Sequence, residues 1–172
     1  MGIEVVPLRA EQAVMLMTEP ERFDECFGLT PVEGFLAFPE AMEPTVAALE
    51  GGIDPAWFSY LIVDGTEIVG LGGFTGPPTD GEVEIGYSVA PSRRGRGLAT
   101  AAVGQWLERA AAAGVRRVVA HTLPAENAST TVLHRHGFVR DGEAHDPDEG
   151  TVWRWVRDLS RPSRVPRPTV PG

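Results

Sequence analysis

One segment limits the architecture of this chain more than any other: Val89-Ala90-Pro91-Ser92-Arg93-Arg94-Gly95-Arg96-Gly97-Leu98-Ala99-Thr100. Before it, Glu82-Val83-Glu84-Ile85-Gly86-Tyr87-Ser88-Val89 reads as a strand, and after it an alanine-rich stretch over residues 98–113 reads as a long helix closed by Gly114. A strand that turns through two glycines straight into a helix must lay that helix back on its own sheet. Gly95 and Gly97 let the backbone turn tightly and approach a ligand closely. The first helical turn offers unpaired N–H groups and the positive end of the helix dipole. Arg93, Arg94 and Arg96 add full charges, so the segment is an anion site into which a pyrophosphate fits.

Around this centre, Ile3-Glu4-Val5-Val6-Pro7-Leu8 alternates as a first strand, and Ala13, Leu16 and Met17 fall at helical spacing within residues 9–17. Residues 21–38 are punctuated by Pro and Gly and read as irregular, with a second helix over 44–50. Apolar runs at 57–63 and 67–74 flank Asp64-Gly65, a strong hairpin signal. A Gly-Pro-rich turn at 76–81 leads into the strand of the anion site. Beyond the long helix come a strand at 115–122, a helix at 128–135 stopped by Gly137, and short strands near 138–143 and 152–156. The order β-α-α-β-β-β-α-β-α-β-β predicts an α+β domain whose mixed, mostly antiparallel central sheet carries helices on both faces. Residues 1–158 are expected to form one domain and 159–172 a Pro/Arg-rich tail.

Charge sharpens the picture. Residues 1–92 hold 16 acids and two bases, 2 − 16 = −14; residues 93–172 hold 13 bases and eight acids, 13 − 8 = +5, and together these give the net −9. This asymmetry fits an anion held by the second half and a cation met by the first, though solvated surface charge has the same look. With this acidic balance, and no basic cluster outside Arg93–Arg96 and the tail, nucleic acid is not expected as a partner. No apolar stretch reaches the ~18 residues of a membrane helix. The first residues carry no secretory pattern, and Val6 breaks the myristoylation pattern after Met1-Gly2. A lone cysteine, Cys26, excludes an internal disulfide and suits a reducing cytoplasm, where the protein is expected.

Two nucleotide folds fail on their own motifs. A P-loop needs a lysine, and this chain has none. A dinucleotide fingerprint needs a third glycine where Thr100 stands, and an acid near the positions of Arg116, Arg117 and Val118.

Arg94-x-x-Gly97-x-Ala99 resembles the pyrophosphate loop of the GNAT superfamily of acetyl-CoA-dependent N-acetyltransferases. Glu84-Ile85-Gly86-Tyr87 before it, and Pro124-x-x-Asn127-Ala128-Ser129 with Val132-Leu133 and Gly137-Phe138 after it, resemble the ribosomal-protein N-terminal acetyltransferase branch. The resemblance spans roughly residues 3–158. It implies that backbone N–H groups from Arg94, Gly95, Arg96, Gly97, Leu98, Ala99 and Thr100 hold the CoA pyrophosphate. It also implies that the strand splays at Ser88-Val89 so that pantetheine pairs there, and that the Ser88 N–H polarises the thioester carbonyl. Asn127 and Ser129 match polar positions near the CoA arm, although the family asparagine often stands one residue earlier, where this chain has Glu126.

Acetyl transfer needs a neutral amine, and a primary amine of pKa about 10 is only about 0.1% neutral at pH 7. Glu84 matches the family position often assigned the base. The tyrosine that many relatives use as acid is Leu133 here, which leaves Ser129 as substitute. Direct attack in a ternary complex is expected, on a protein N-terminus or a small cationic amine. A non-catalytic acyl-CoA-binding or sensing module is the alternative.

No metal is expected: His134 and His136 sit two apart on a helix and so face different ways, and Cys26 is remote in sequence. Residues 146–150 read as a solvated turn. Trp153 and Trp155 read as core or as the face of a homodimer. Phe23, Phe27, Phe35 and Phe38, with Glu21, Asp24, Glu25 and Glu33, read as core or as the lining of an acceptor pocket.

Overall fold

The protein is described by a computed structural model covering residues 2–160, so the expected tail beyond Ser160 lies outside the described residues. In chain order the elements are β1 (Ile3–Pro7), α1 (Ala10–Thr18), α2 (Phe23–Phe27), β2 (Thr30–Pro31), α3 (Met42–Glu50), β3 (Ser59–Asp64), β4 (Glu67–Phe74), β5 (Glu82–Val89), α4 (Leu98–Ala112), β6 (Arg117–Thr122), α5 (Ala128–Arg135), β7 (Val139–Asp146) and β8 (Gly150–Asp158). The strands form one eight-stranded sheet ordered β1-β3-β4-β5-β6-β8-β7, with β2 added alongside β4. Pairing is parallel at β5–β6 and β2–β4 and antiparallel elsewhere.

Strand alternation divides the apolar residues between two cores. On β3, Tyr60 and Ile62 join the core under α4 and α5, while Leu61 and Val63 join a second core under α1 and α3. α4 buries Leu98, Ala102, Val103, Trp106 and Ala110, a stripe at intervals of three and four residues. Its close approach to the sheet depends on Gly72, where a Cβ would stand 2.6 Å from the Trp106 ring. Gln105 of the same helix serves the edge strand β1: its Oε1 accepts from the Val5 N–H (3.1 Å) and its Nε2 donates to the Ile3 carbonyl (2.7 Å). These are the bonds a further strand would make, so the edge is closed to other chains there.

The structure amends three expectations. The stretch read as irregular holds α2 and β2, because Thr30-Pro31 borrows its partners from β4: the Thr30 N–H donates to Thr66 and the Val32 N–H to Ile68. The hairpin register pairs Asp64 with Glu67, so its two loop residues are Gly65 and Thr66, one step later than read, with Gly65 at φ 62°. Finally, β7 and β8 extend to Asp146 and Asp158, zipped together by their own ladder.

Candidate active site

The β5–β6 ladder stops at Ile85–Ala120, yet β5 continues to Val89 and β6 to Thr122. The two strands part there, and a cleft of about 270 Å³ opens between them, lined by Gly86, Tyr87, His121, Asn127 and Ser129 among others.

Which backbone groups face this opening follows from the antiparallel ladder on the other side of β5. The Thr75 N–H donates to the Glu84 carbonyl (3.0 Å) and the Ala90 N–H to the Val69 carbonyl (2.7 Å), and the β4–β5 register between them is unbroken. Successive residues of a strand point their N–H and C=O groups to opposite sides. Residues 84, 86, 88 and 90 therefore turn toward β4, while Tyr87 and Val89 turn toward the opening. This corrects the expectation for Ser88: its N–H faces Leu71 in the sheet, and the donors available to a ligand are those of its two neighbours.

Below the cleft, Gly95 (φ 78°) and Gly97 (φ 74°) adopt the left-handed conformation that glycine tolerates best. Gly97 is the N-cap of α4 and no side chain caps the helix, so the N–H groups of Leu98, Ala99 and Thr100 in its first turn have no helical partner. An uncapped helix terminus of this kind can take an anion. Of the three arginines, Arg93 is committed elsewhere: its Nη2 lies 2.7 Å from Glu67 Oε2 and ties the loop to β4. Arg94 folds its Nε onto the Val89 carbonyl (3.3 Å), and both Arg94 and Arg96 are exposed at the loop.

α5 supplies the far wall. Its N-cap, Asn127, accepts the Thr130 N–H on Oδ1 (3.1 Å), so the asparagine expected to touch the CoA arm also terminates the helix. Ser129, on the first turn, lines the cleft, and its carbonyl accepts the Tyr87 hydroxyl at 3.1 Å. Burial pushes the Tyr87 phenol well above its ordinary pKa, and the Ser129 side chain opposes the shift. Leu133, at the position where relatives have a tyrosine, is fully buried in the main core.

On the opposite face of β5 from Val83 and Ile85 stands Glu84. Its Oε1 is 2.8 Å from Nδ1 of His121, on β6 one residue past the last ladder pair. Sequence pattern alone assigns His121 no role. A detectable signal was present: Val118 and Ala120 belong to the core, so alternation puts His121 on the face of Glu84 once β5 and β6 are known to run parallel. The other histidines are engaged separately. His136 Nε2 meets the Thr100 carbonyl at 2.7 Å, and His134 packs edge-on against Trp155. Among the described residues no three His, Cys, Asp or Glu side chains form a metal-holding group.

The aromatic expectations divide. Trp155 is core and donates its Nε1–H to Thr122 Oγ1 (2.9 Å), and Trp153 lies under the Arg140 guanidinium. Phe23 and Phe35 belong to the second core, while Phe38 is exposed. The turn at 146–150 is an Asx-type loop in which Asp146 Oδ1 accepts from the Asp148 and Glu149 N–H groups, and these bonds hold its carboxyl below the usual range.

A family model described as an acetyltransferase (GNAT) domain matches residues 7–139. The chain belongs to the GNAT family and is an acetyl-CoA-dependent N-acetyltransferase; acetyl-CoA is its co-substrate. Solved structures of the same fold include Mycobacterium smegmatis RimJ in complex with CoA-disulfide (TM-score 0.66, 21% identity, 96% of this chain and 84% of that one). The ribosomal-protein-S5-alanine acetyltransferase from Vibrio fischeri is similar at TM-score 0.62 and 20% identity, over 92% of this chain and 94% of that one. A spermidine N-acetyltransferase SpeG chimera from Vibrio cholerae and hSSAT reaches TM-score 0.67 at 14% identity, over 93% and 97%. No curated protein matches the chain. No helix among the described residues is long and apolar enough to cross a membrane.

Proposed function

We propose that the protein transfers the acetyl group of acetyl-CoA directly to a primary amine bound on the Glu84 face of the parted strands, within a ternary complex. The observation that carries this reading is the end of the β5–β6 pairing beside the uncapped N-terminus of α4. The pyrophosphate rests on the Gly95–Thr100 N–H groups, with Arg94 and Arg96 screening its charge. The pantetheine arm takes the ladder positions left free by β6. The N–H groups of Tyr87 and Val89 take the place expected for Ser88, pairing with that arm and polarising the thioester carbonyl. Asn127 and Ser129 flank the arm, and the Ser129 hydroxyl serves the departing sulfur. Glu84 attracts the cationic acceptor from the opposite face, so acceptor and donor meet at the crotch from two sides.

Both kinds of acceptor named for the similar structures, a protein N-terminal alanine and spermidine, present primary amines. The reaction belongs in a reducing cytoplasm, where the exposed thiol of Cys26 stays free.

Calorimetry with acetyl-CoA tests the loop. The Gly97→Asp variant sets a side chain in a left-handed conformation and a carboxylate on the anion site. Its affinity is expected to fall by about 100-fold. A thiol-release assay with spermidine and a peptide bearing a free N-terminal alanine tests the transfer. Acetyl-CoA binding without turnover of any amine favours the sensing module instead.

A further inference from the structure

The Glu84–His121 contact carries a consequence for how the acceptor loses its proton. We infer that His121 is the base that deprotonates the acceptor amine, and that Glu84 is the residue that positions it. This rests on the reading of the site as one of acetyl transfer to an amine.

An ionised carboxylate only accepts hydrogen bonds, so the 2.8 Å contact requires the proton of a neutral His121 ring on Nδ1. That leaves the lone pair on Nε2, and among the described residues no partner occupies it. The ring lines the cleft, at the first position of β6 beyond the Ile85–Ala120 pair, where an acceptor nitrogen and a thioester approach each other. Glu84 already spends Oε1 on the ring. A free imidazole titrates near neutral pH and a free carboxylic acid well below it, so imidazole is the better matched base at physiological pH.

The proton and electron count closes without another reactant. The ammonium acceptor gives one proton to Nε2, and the lone pair so freed attacks the thioester carbonyl carbon. The new C–N bond forms and the C–S bond breaks, its electron pair leaving with sulfur. The second N–H proton ends on that sulfur as the CoA thiol, and the imidazolium returns its proton to solvent through its exposed edge.

The charged groups facing His121 come from three strands besides its own. Glu84 on β5 is the ring's hydrogen-bond partner. Arg154 on β8 lies opposite it in register, but its guanidinium is held by Asp141 at 2.6 Å and Glu82 at 3.7 Å. Asp146, at the end of β7, interacts electrostatically with His121, and Glu149 lines the same cleft.

The test uses the whole chain with acetyl-CoA and spermidine, or with a peptide bearing a free N-terminal alanine. His121→Asn keeps an N–H near the Nδ1 position and removes only the Nε2 lone pair. Its kcat is expected to fall by about 100-fold or more, with acetyl-CoA affinity unchanged. The rise of rate with pH near neutrality should disappear. Glu84→Gln is expected to cost less, about tenfold, because the ring keeps its Nε2 lone pair and loses only the carboxylate that orients it. If His121→Asn stays within threefold of wild type while Glu84→Gln abolishes the rise, Glu84 is itself the base and the inference is overturned.

A nitrogen-resolved NMR titration of the histidine rings gives an answer independent of turnover. A neutral ring protonated on Nδ1 supports the inference; a neutral ring protonated on Nε2 overturns it. A wild type that binds acetyl-CoA and acetylates neither probe, whatever the NMR result, counts against the transferase reading rather than against the Glu84–His121 geometry.

Discussion

The two halves of the sheet are built to different rules. Strands β3 and β4 are covered on both faces, by α4 on one and by α1 and α3 on the other, and β3 reads Ser-Tyr-Leu-Ile-Val-Asp with its four central residues buried. Beyond β5, the strands β6 and β8 turn Val118, Ala120 and Trp155 into the main core, while the other face sets the buried Val119 and Val152 among a lattice of charges: Glu82 with Arg117 and Arg154, Arg154 with Asp141, and Glu84 with His121. A doubly covered sheet can only be scaffold. Where one face is left open, strand alternation presents polar side chains at a fixed spacing, and the parting of β5 from β6 lets a ligand reach them.

The contrast predicts unequal costs. Leu61, fully buried between the sheet and α1–α3, should lose about 2–5 kcal/mol on Leu61→Ala. Val139 is 68% exposed on β7, and Val139→Thr should stay within about 0.5 kcal/mol. Urea denaturation measures both, and similar costs would dissolve the distinction between the halves.

Tyr87 sharpens the comparison from the boundary, since it sits on the covered side of β5 with its phenol held above the ordinary range mainly by burial. A raised phenol favours the folded state fully below the unfolded value of about 10, and that contribution is lost as pH climbs beyond it. Stability measured between pH 9 and about 11.5 should therefore fall less steeply in Tyr87→Phe than in wild type. Tyr60, also raised by burial, is common to both proteins and does not produce the difference. Identical slopes would mean that the Tyr87 environment is as wet as the open face.

A small effect is also expected in the charged lattice. Arg117 and Glu82 meet at 3.3 Å with side chains 53% and 38% exposed, so Arg117→Ala should cost under about 1 kcal/mol, and less in high salt. A larger loss would make that lattice structural rather than a solvated surface.

Much of the scaffold was legible because it is local. Helix α5 runs over the residues its pattern implied, with Gly137 at φ 76° after it, and Gly114 at φ 78° follows α4. The reading failed where partners lie far away in the chain. β2 is a strand only because the end of β4 is free to receive it. Phe23 and Phe35 looked equally suited to a pocket or a core until the packing of α1 and α3 placed them in the core.

By itself, then, the sequence determined the strand–loop–helix unit. Positive-φ glycines, an uncapped helix start and neighbouring arginines are all written within Val89–Thr100, and local backbone chemistry needs nothing further. Tertiary structure alone decided the direction of each group around the cleft. Whether Ser88 or Tyr87 offers its N–H depends on which side of β5 is paired with β4. Whether Glu84 meets His121, 37 positions later in the chain, depends on β5 and β6 lying parallel in that register. Alternation along a strand is a local rule, but its phase is set by the neighbouring strand.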